Sequence, residues 1–348
     1  MQDVFRECFK KSNILFFGKK SIINMGLPSK IKAPVEQEIK SFENYFSKVI
    51  DSKVPLLRTI TNYVIRSKGK QLRPLLVFLS AKLNGQITEK TFVAASLIEL
   101  LHTATLIHDD VVDETYRRRG FFSINTLWRS KMAVLTGDYF LSTGLMVALK
   151  SKQIGILEVI SSAVKEMSEG ELIQIEKSRR LNITEDVYYE IIRKKTATLI
   201  AACTKSGAFS VDTSDEHLEK MHKFGENLGM AFQIRDDLLD YEETNFAGKP
   251  TGNDLKEKKI TLPLIYLLNN STNAEKASIL RTIGRYHDDE RKIIPIIKKV
   301  KESGGIEYSR REMCRFQQNA LEILNTYPQS ETREAIRELV YFITERNG

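Results

Sequence analysis

The chain carries one short acidic phrase twice, Asp109-Asp110-Val111-Val112-Asp113 and, 127 residues later, Asp236-Asp237-Leu238-Leu239-Asp240. Each copy closes a stretch in which apolar residues recur every three or four positions, so each reads as the end of a helix. Positions i and i+4 of a helix share a face, with i+3 beside them, which sets Asp109 over Asp113 and Asp236 over Asp240. Three like charges on one face repel, and a chain that keeps two such sets needs a cation among them. Oxygen ligands without a histidine or cysteine cluster point to a hard ion such as Mg2+, not to zinc. Asp109, Asp110, Asp113, Asp236, Asp237 and Asp240 are therefore the candidate metal ligands.

The 8 Pro and 18 Gly of the 348 residues cluster at a few places, whereas a sheet-rich fold needs turn residues every ten positions or so. An all-α chain is expected, with one helical domain from Ala33 to the end. Residues 1–32, basic around Ile14-Leu15-Phe16-Phe17, are expected to be an extension, disordered or lying before a native start at Met25, and they lack the pattern of a cleaved leader. The net charge of +8 is dispersed and not interleaved with stacking aromatics, which argues against nucleic acid and leaves an anionic small substrate or a membrane surface. Cys8, Cys203 and Cys314 are isolated and odd in number, which fits a reducing cytoplasm with no disulfide framework.

Cations gather near the acidic phrases. Gly69-Lys70-Gln71-Leu72-Arg73-Pro74 makes an anion-binding corner at a helix start, or a solvated basic turn. Arg117-Arg118-Arg119 follows the first motif, where guanidinium forks either hold phosphate or pair with Asp113 and Glu114. Lys195, beside Thr196, sits among apolar neighbours and needs a partner or a function there. Gly225 and Gly229, ahead of Gln233, suggest close helix packing. The glycine- and proline-rich loop of residues 245–254 leads to Lys256, Lys258 and Lys259 and suits a mobile lid. His102, seven residues before Asp109, is either a packed core residue or part of the site. Two carboxylate sets with such cations can clamp a diphosphate through Mg2+ and ease the ionisation of its C–O bond, provided the carbon fragment is a stabilised allylic cation shielded from water.

Six ordered blocks then resemble the trans-isoprenyl diphosphate synthases, of the long-chain type, over nearly the whole chain from Ala33. They are residues 69–74, the first motif with Arg118-Arg119-Gly120, Gly137-Asp138, Lys195-Thr196-Ala197, Gln233 with the second motif, and Gly248-Lys249 through Thr261-Leu262-Pro263. The resemblance implies a single-domain bundle of antiparallel helices around a central cavity, a homodimer, three Mg2+ ions per site, and head-to-tail condensation of an allylic diphosphate with isopentenyl diphosphate. By position, it implies that the six aspartates form the metal and allylic-diphosphate shell. Arg118, Lys195, Lys249 and Lys259 would touch the allylic diphosphate. Lys70, Arg73, His102 and Arg119 would hold isopentenyl diphosphate, and Thr196 and Gln233 would face the developing cation. Lys258 departs from the glycine usual in that place.

Chain length is read from Ala104, five residues before the first aspartate, where similar short-chain synthases carry a bulky aromatic. With Thr105 beside it and Leu101 next below, Ala104 leaves a passage open. The expectation is a long product for quinone side chains, released with transient membrane contact. The alternatives are a geranylgeranyl or farnesyl synthase and the non-catalytic subunit of a heteromeric enzyme.

Overall fold

A computed structural model describes residues 27–66, 71–118, 120–241 and 252–344. The helical periodicity becomes helices nearly throughout. A short α1 (Ser29–Lys32) leads to α2 (Glu36–Val49), whose Phe42 and Phe46 are buried one turn apart, and α3 (Pro55–Arg66) opens on its proline, where no N–H is missed. Next come α4 (Leu72–Asn84) and α5 (Glu89–Val112). Helix α5 starts at Thr88, which exchanges side-chain hydrogen bonds with Thr91, and from Val93 to His102 every residue is buried. A helix apolar on all sides belongs at the centre of a bundle, and α5 lies against α4 and α6 (Ile124–Lys150). Between α5 and α6 runs a two-residue hairpin, β1 (Arg117–Arg118) and β2 (Phe121–Phe122), turning through Gly120 at φ +83°.

Helices α7 (Ile154–Arg180), α8 (Glu185–Ile192), α9 (Thr198–Phe209) and α10 (Asp215–Leu239) complete the middle of the bundle. Then follow α11 (Asn253–Lys256), α12 (Leu262–Asn269), α13 (Asn273–Tyr286), α14 (Glu290–Glu302), α15 (Gly305–Asn325) and α16 (Glu331–Thr344). Helix α9 is held between α4, α7 and α10, and α10 in turn packs along α15. Leu27 and Ile31, ahead of Ala33, are buried in the same core as Phe42 and Leu339; residues 1–26 lie outside the described residues.

Two departures from simple periodicity bear on the site. The stretch from Tyr188 to Ala202 reads as one helix, but α8 and α9 are separated by a wide π turn over Arg193–Ala197 that carries Lys195 and Thr196. Two glycine approaches press it into place. A Cβ on Gly170 of α7 would stand 3.0 Å from the Lys195 amide nitrogen, and one on Gly229 of α10 would stand 2.5 Å from the Ala197 Cα. The helix–helix reading of Gly225 and Gly229 thus holds, and it brings Gln233, one turn on, against Thr196.

Candidate active site

Both acidic motifs sit at helix C-termini, the negative end of the helix dipole, which raises their need for a cation. At the end of α5, Asp109 and Asp113 are exposed on one face and Asp110 is buried beneath them. The helix closes off there, with the Asp113 amide donating to the Asp109 carbonyl at 2.8 Å and the Thr115 amide to that of Asp110 at 3.0 Å. The neighbouring His108 seats its ring on Gly137, where any Cβ would overlap it at 2.2 Å, and its Nε2 lies 3.5 Å from Asp138. The Gly137-Asp138 block therefore ties the end of α5 to α6.

The second motif is built differently. Asp236 is exposed, whereas both oxygens of buried Asp237 accept hydrogen bonds, from the Tyr188 hydroxyl at 2.7 Å and from Gln233 Nε2 at 2.8 Å. Gln233 Oε1 accepts from the Thr196 hydroxyl at 2.7 Å. Asp240, one turn on from Asp236, is half-buried. Its two oxygens accept the backbone N–H groups of Asn253 and Asp254, each at 3.0 Å, so it caps α11 and anchors the chain that follows. Of the six aspartates, Asp109, Asp113 and Asp236 are the exposed ones, and Asp237 and Asp240 are committed to protein donors.

Three lysines surround the first motif's outer face. Lys195 pairs with Glu171 at 2.5 Å and reaches Gln174 at 3.3 Å, both on α7. Lys259 pairs with Glu257; burial pulls its pKa down, but Glu257, Asp254 and Asp113 outweigh this and hold it up. Asp113 and Lys259 line the same cleft, so Lys259 lies near the first motif. Lys258, before it, adopts the left-handed region itself at φ +58°, at a cost of about 1–2 kcal/mol for a residue with a Cβ. A cleft of about 650 Å³ lies between these groups, lined by Asp113, Thr115, Glu171, Gln174, Lys195 and Lys259 among others.

Arg73 and Glu99 both act on the thiol of Cys203, which places Arg73 at the α4–α5–α9 junction; His102, one turn along α5 from Glu99, is buried. Cys203 is core, its pKa pushed up by burial to about 12. Ala104 and Leu101 are each 2% exposed in the core below the first motif, and Thr105 is bonded back to the His102 carbonyl. Lys70, Arg119, Lys249 and most of the glycine–proline loop fall outside the described residues, as does the side chain of Arg118. Tyr188, Glu171 and Asp254 belong to the site and carry no motif of their own. Tyr188, seven residues before Lys195 and so on its face in a regular helix, is the one available signal.

Burial raises the Asp254 pKa to about 8, helped by Asp237 and Asp240, and raises that of Asp237 to about 7 against the pull of Tyr188 and Gln233. Burial likewise raises Asp240. These groups bind protons more tightly folded than unfolded, so their contribution to stability is complete below pH ~4 and is lost as pH rises through 7 to 8. The metal-free protein is expected to melt several degrees higher at pH 6 than at pH 8.5, with added Mg2+ raising the melting temperature more at pH 8.5; differential scanning fluorimetry across the two pH values checks this. Mg2+ fits the donor set. Among the described residues no three acids close into a self-contained cage, and Mg2+ takes one or two carboxylates and fills its shell with water and substrate phosphate.

The Polyprenyl synthetase family profile matches residues 54–300. The chain is similar to the all-trans-nonaprenyl-diphosphate synthase (geranyl-diphosphate specific) of Rhodobacter capsulatus, 34% identical across 91% of this chain and 97% of that one. It is also similar to the short chain isoprenyl diphosphate synthase of Methanothermobacter thermautotrophicus, 33% identical across 84% and 90%. Among solved structures, the decaprenyl diphosphate synthase from Rhodobacter capsulatus superposes with a TM-score of 0.86 at 30% identity, covering 91% of this chain and 98% of that one. A family profile spanning most of the chain and a bundle that matches a synthase end to end agree with the paired carboxylate helices: the chain belongs to the polyprenyl synthetase family and is a prenyltransferase.

Proposed function

We propose that this chain, as a homodimer in the cytoplasm, extends an allylic diphosphate with isopentenyl diphosphate to an all-trans product of about 35 to 50 carbons, kept from water by the apolar core below the first motif. The observation that carries the reading is the cleft framed by Asp113, Lys195 and Lys259, with Asp236 exposed at the end of α10. Asp109, Asp113 and Asp236 would hold Mg2+, three ions per site by the family pattern, and the ions supply charge neutralisation for the departing pyrophosphate.

Lys195 and Lys259 bind the diphosphate oxygens directly. Glu171 and Gln174 hold the Lys195 ammonium in place, and Glu257 does the same for Lys259. Thr196 and Gln233 sit where the allylic carbon develops charge, while Arg73 and His102 would orient isopentenyl diphosphate from the other side. Relatives of both kinds show similar identity, and it is the small Ala104 that supports a long product over a farnesyl or geranylgeranyl one. The purified chain alone, given radiolabelled isopentenyl diphosphate, farnesyl diphosphate and Mg2+, should incorporate label into a long-chain product on chromatography after dephosphorylation. No incorporation would favour the partner-dependent subunit.

The homodimer rests on α6. Val134, Leu135, Leu141, Leu145, Met146 and Leu149 are exposed along one face of it, a stripe of helical spacing too continuous for solvent. Helices α5 and α6 are both long and apolar enough to cross a membrane, but α5 is the buried centre of the bundle, and α6 is suited to a second copy of itself. Leu145→Glu is expected to yield a monomer by size-exclusion chromatography with light scattering, where the unaltered chain runs as a dimer.

A further inference from the structure

Thr196, next to the cleft-lining Lys195, makes one hydrogen-bonded line with Gln233, Asp237 and Tyr188 that ends among buried apolar residues such as Ile192 and Ile234. Its direction is set at the inner end. In its ionised form, which the Tyr188 and Gln233 donors favour, the Asp237 carboxylate only accepts hydrogen bonds, and it accepts two, so the Gln233 amide turns its nitrogen inward and its oxygen toward Thr196. Thr196 then gives its one hydroxyl proton to Gln233, and the Thr196 oxygen has only lone pairs left for the cleft. The close approaches of Gly170 and Gly229 to the π turn keep Thr196 from drifting out of this line.

We propose that Asp237 is a positioning residue, not a metal ligand: with Tyr188 behind it, it fixes the orientation of Gln233 so that Thr196 presents an electron-rich oxygen to the developing allylic cation. The inference rests on the reading above that Thr196 faces that cation. Without the carboxylate, Gln233 can turn over and donate to Thr196, whose hydroxyl proton then points at positive charge. The site would bind both substrates as before and meet the transition state with the wrong dipole.

Asp237→Asn tests this, because an asparagine of the same size can donate to Gln233 and permits the turn. The expected result is a fall in kcat of about 30- to 100-fold, the scale of one misaligned transition-state contact. KM for both diphosphates should stay within about twofold, and half-saturation by Mg2+ should not move. On a Thr196→Val background, where no hydroxyl remains to be misdirected, Asp237→Asn should cost less than about threefold. Tyr188→Phe, which leaves the acidic motif intact, should show the same signature at about 3- to 10-fold, and it serves if the asparagine variant does not fold. A raised Mg2+ requirement, with kcat recovered at high Mg2+, would make Asp237 a metal ligand and overturn the proposal. Equal losses on both backgrounds would overturn it as well. A Thr196→Val enzyme of full rate would instead remove the reading of Thr196 on which the inference stands.

Discussion

Asp109→Ala is expected to lower the condensation rate by about 10⁴-fold with the fold intact, the largest single effect in the molecule, because it removes a ligand for charge that develops only as the pyrophosphate leaves. Asp109 is exposed at the end of α5, whereas the carboxylate of Asp240 accepts the backbone N–H groups that open α11. Loss of Asp109 should therefore leave the melting temperature within a degree or two. Asp240→Ala should do the reverse. It strips two backbone N–H groups of their acceptor and destabilises the chain by about 1–2 kcal/mol, with a smaller loss of rate through Lys259. Steady-state incorporation of labelled isopentenyl diphosphate, with thermal melts of both variants, separates the two. An inactive Asp240→Ala beside an active Asp109→Ala would reverse the assignment.

Ala104→Phe is expected to change the product rather than the rate, cutting it from about 35–50 carbons to about 15–20, since the ring would fill the space one turn beneath the metal face where a growing chain passes. Ala104 is 2% exposed and Leu101 lies a turn below, packed toward Gly144 of α6. A phenylalanine there also overpacks the core by about 1–3 kcal/mol, so folding is checked by circular dichroism and product length by thin-layer chromatography. Unchanged product length in a folded, active variant would remove Ala104 as the determinant.

The helices, their order and the first motif could be read from spacing because helix α5 obeys one rule along its whole length: apolar all round, then acidic where it meets the cleft. The second motif could not be read to the same depth. Its letters match the first, yet Asp237 and Asp240 are turned to protein donors by Tyr188 and by residues 253–254, and those lie 49 positions upstream and 13 to 14 downstream. No local pattern announces such distant partners. The π turn was hidden for a related reason. Every residue from Tyr188 to Ala202 suits an ordinary helix, and the extra residue shows only once Gly170 and Gly229 press on the turn from both sides.

Carboxylates on two helices are expected to hold a diphosphate only with divalent ions between them. Calorimetric titration of farnesyl thiodiphosphate, which resists ionisation, into the purified chain tests it most directly. Tight binding with Mg2+, lost with chelator and lost with Mg2+ present in Asp236→Ala, is the predicted result. Equal affinity with and without Mg2+ would contradict it.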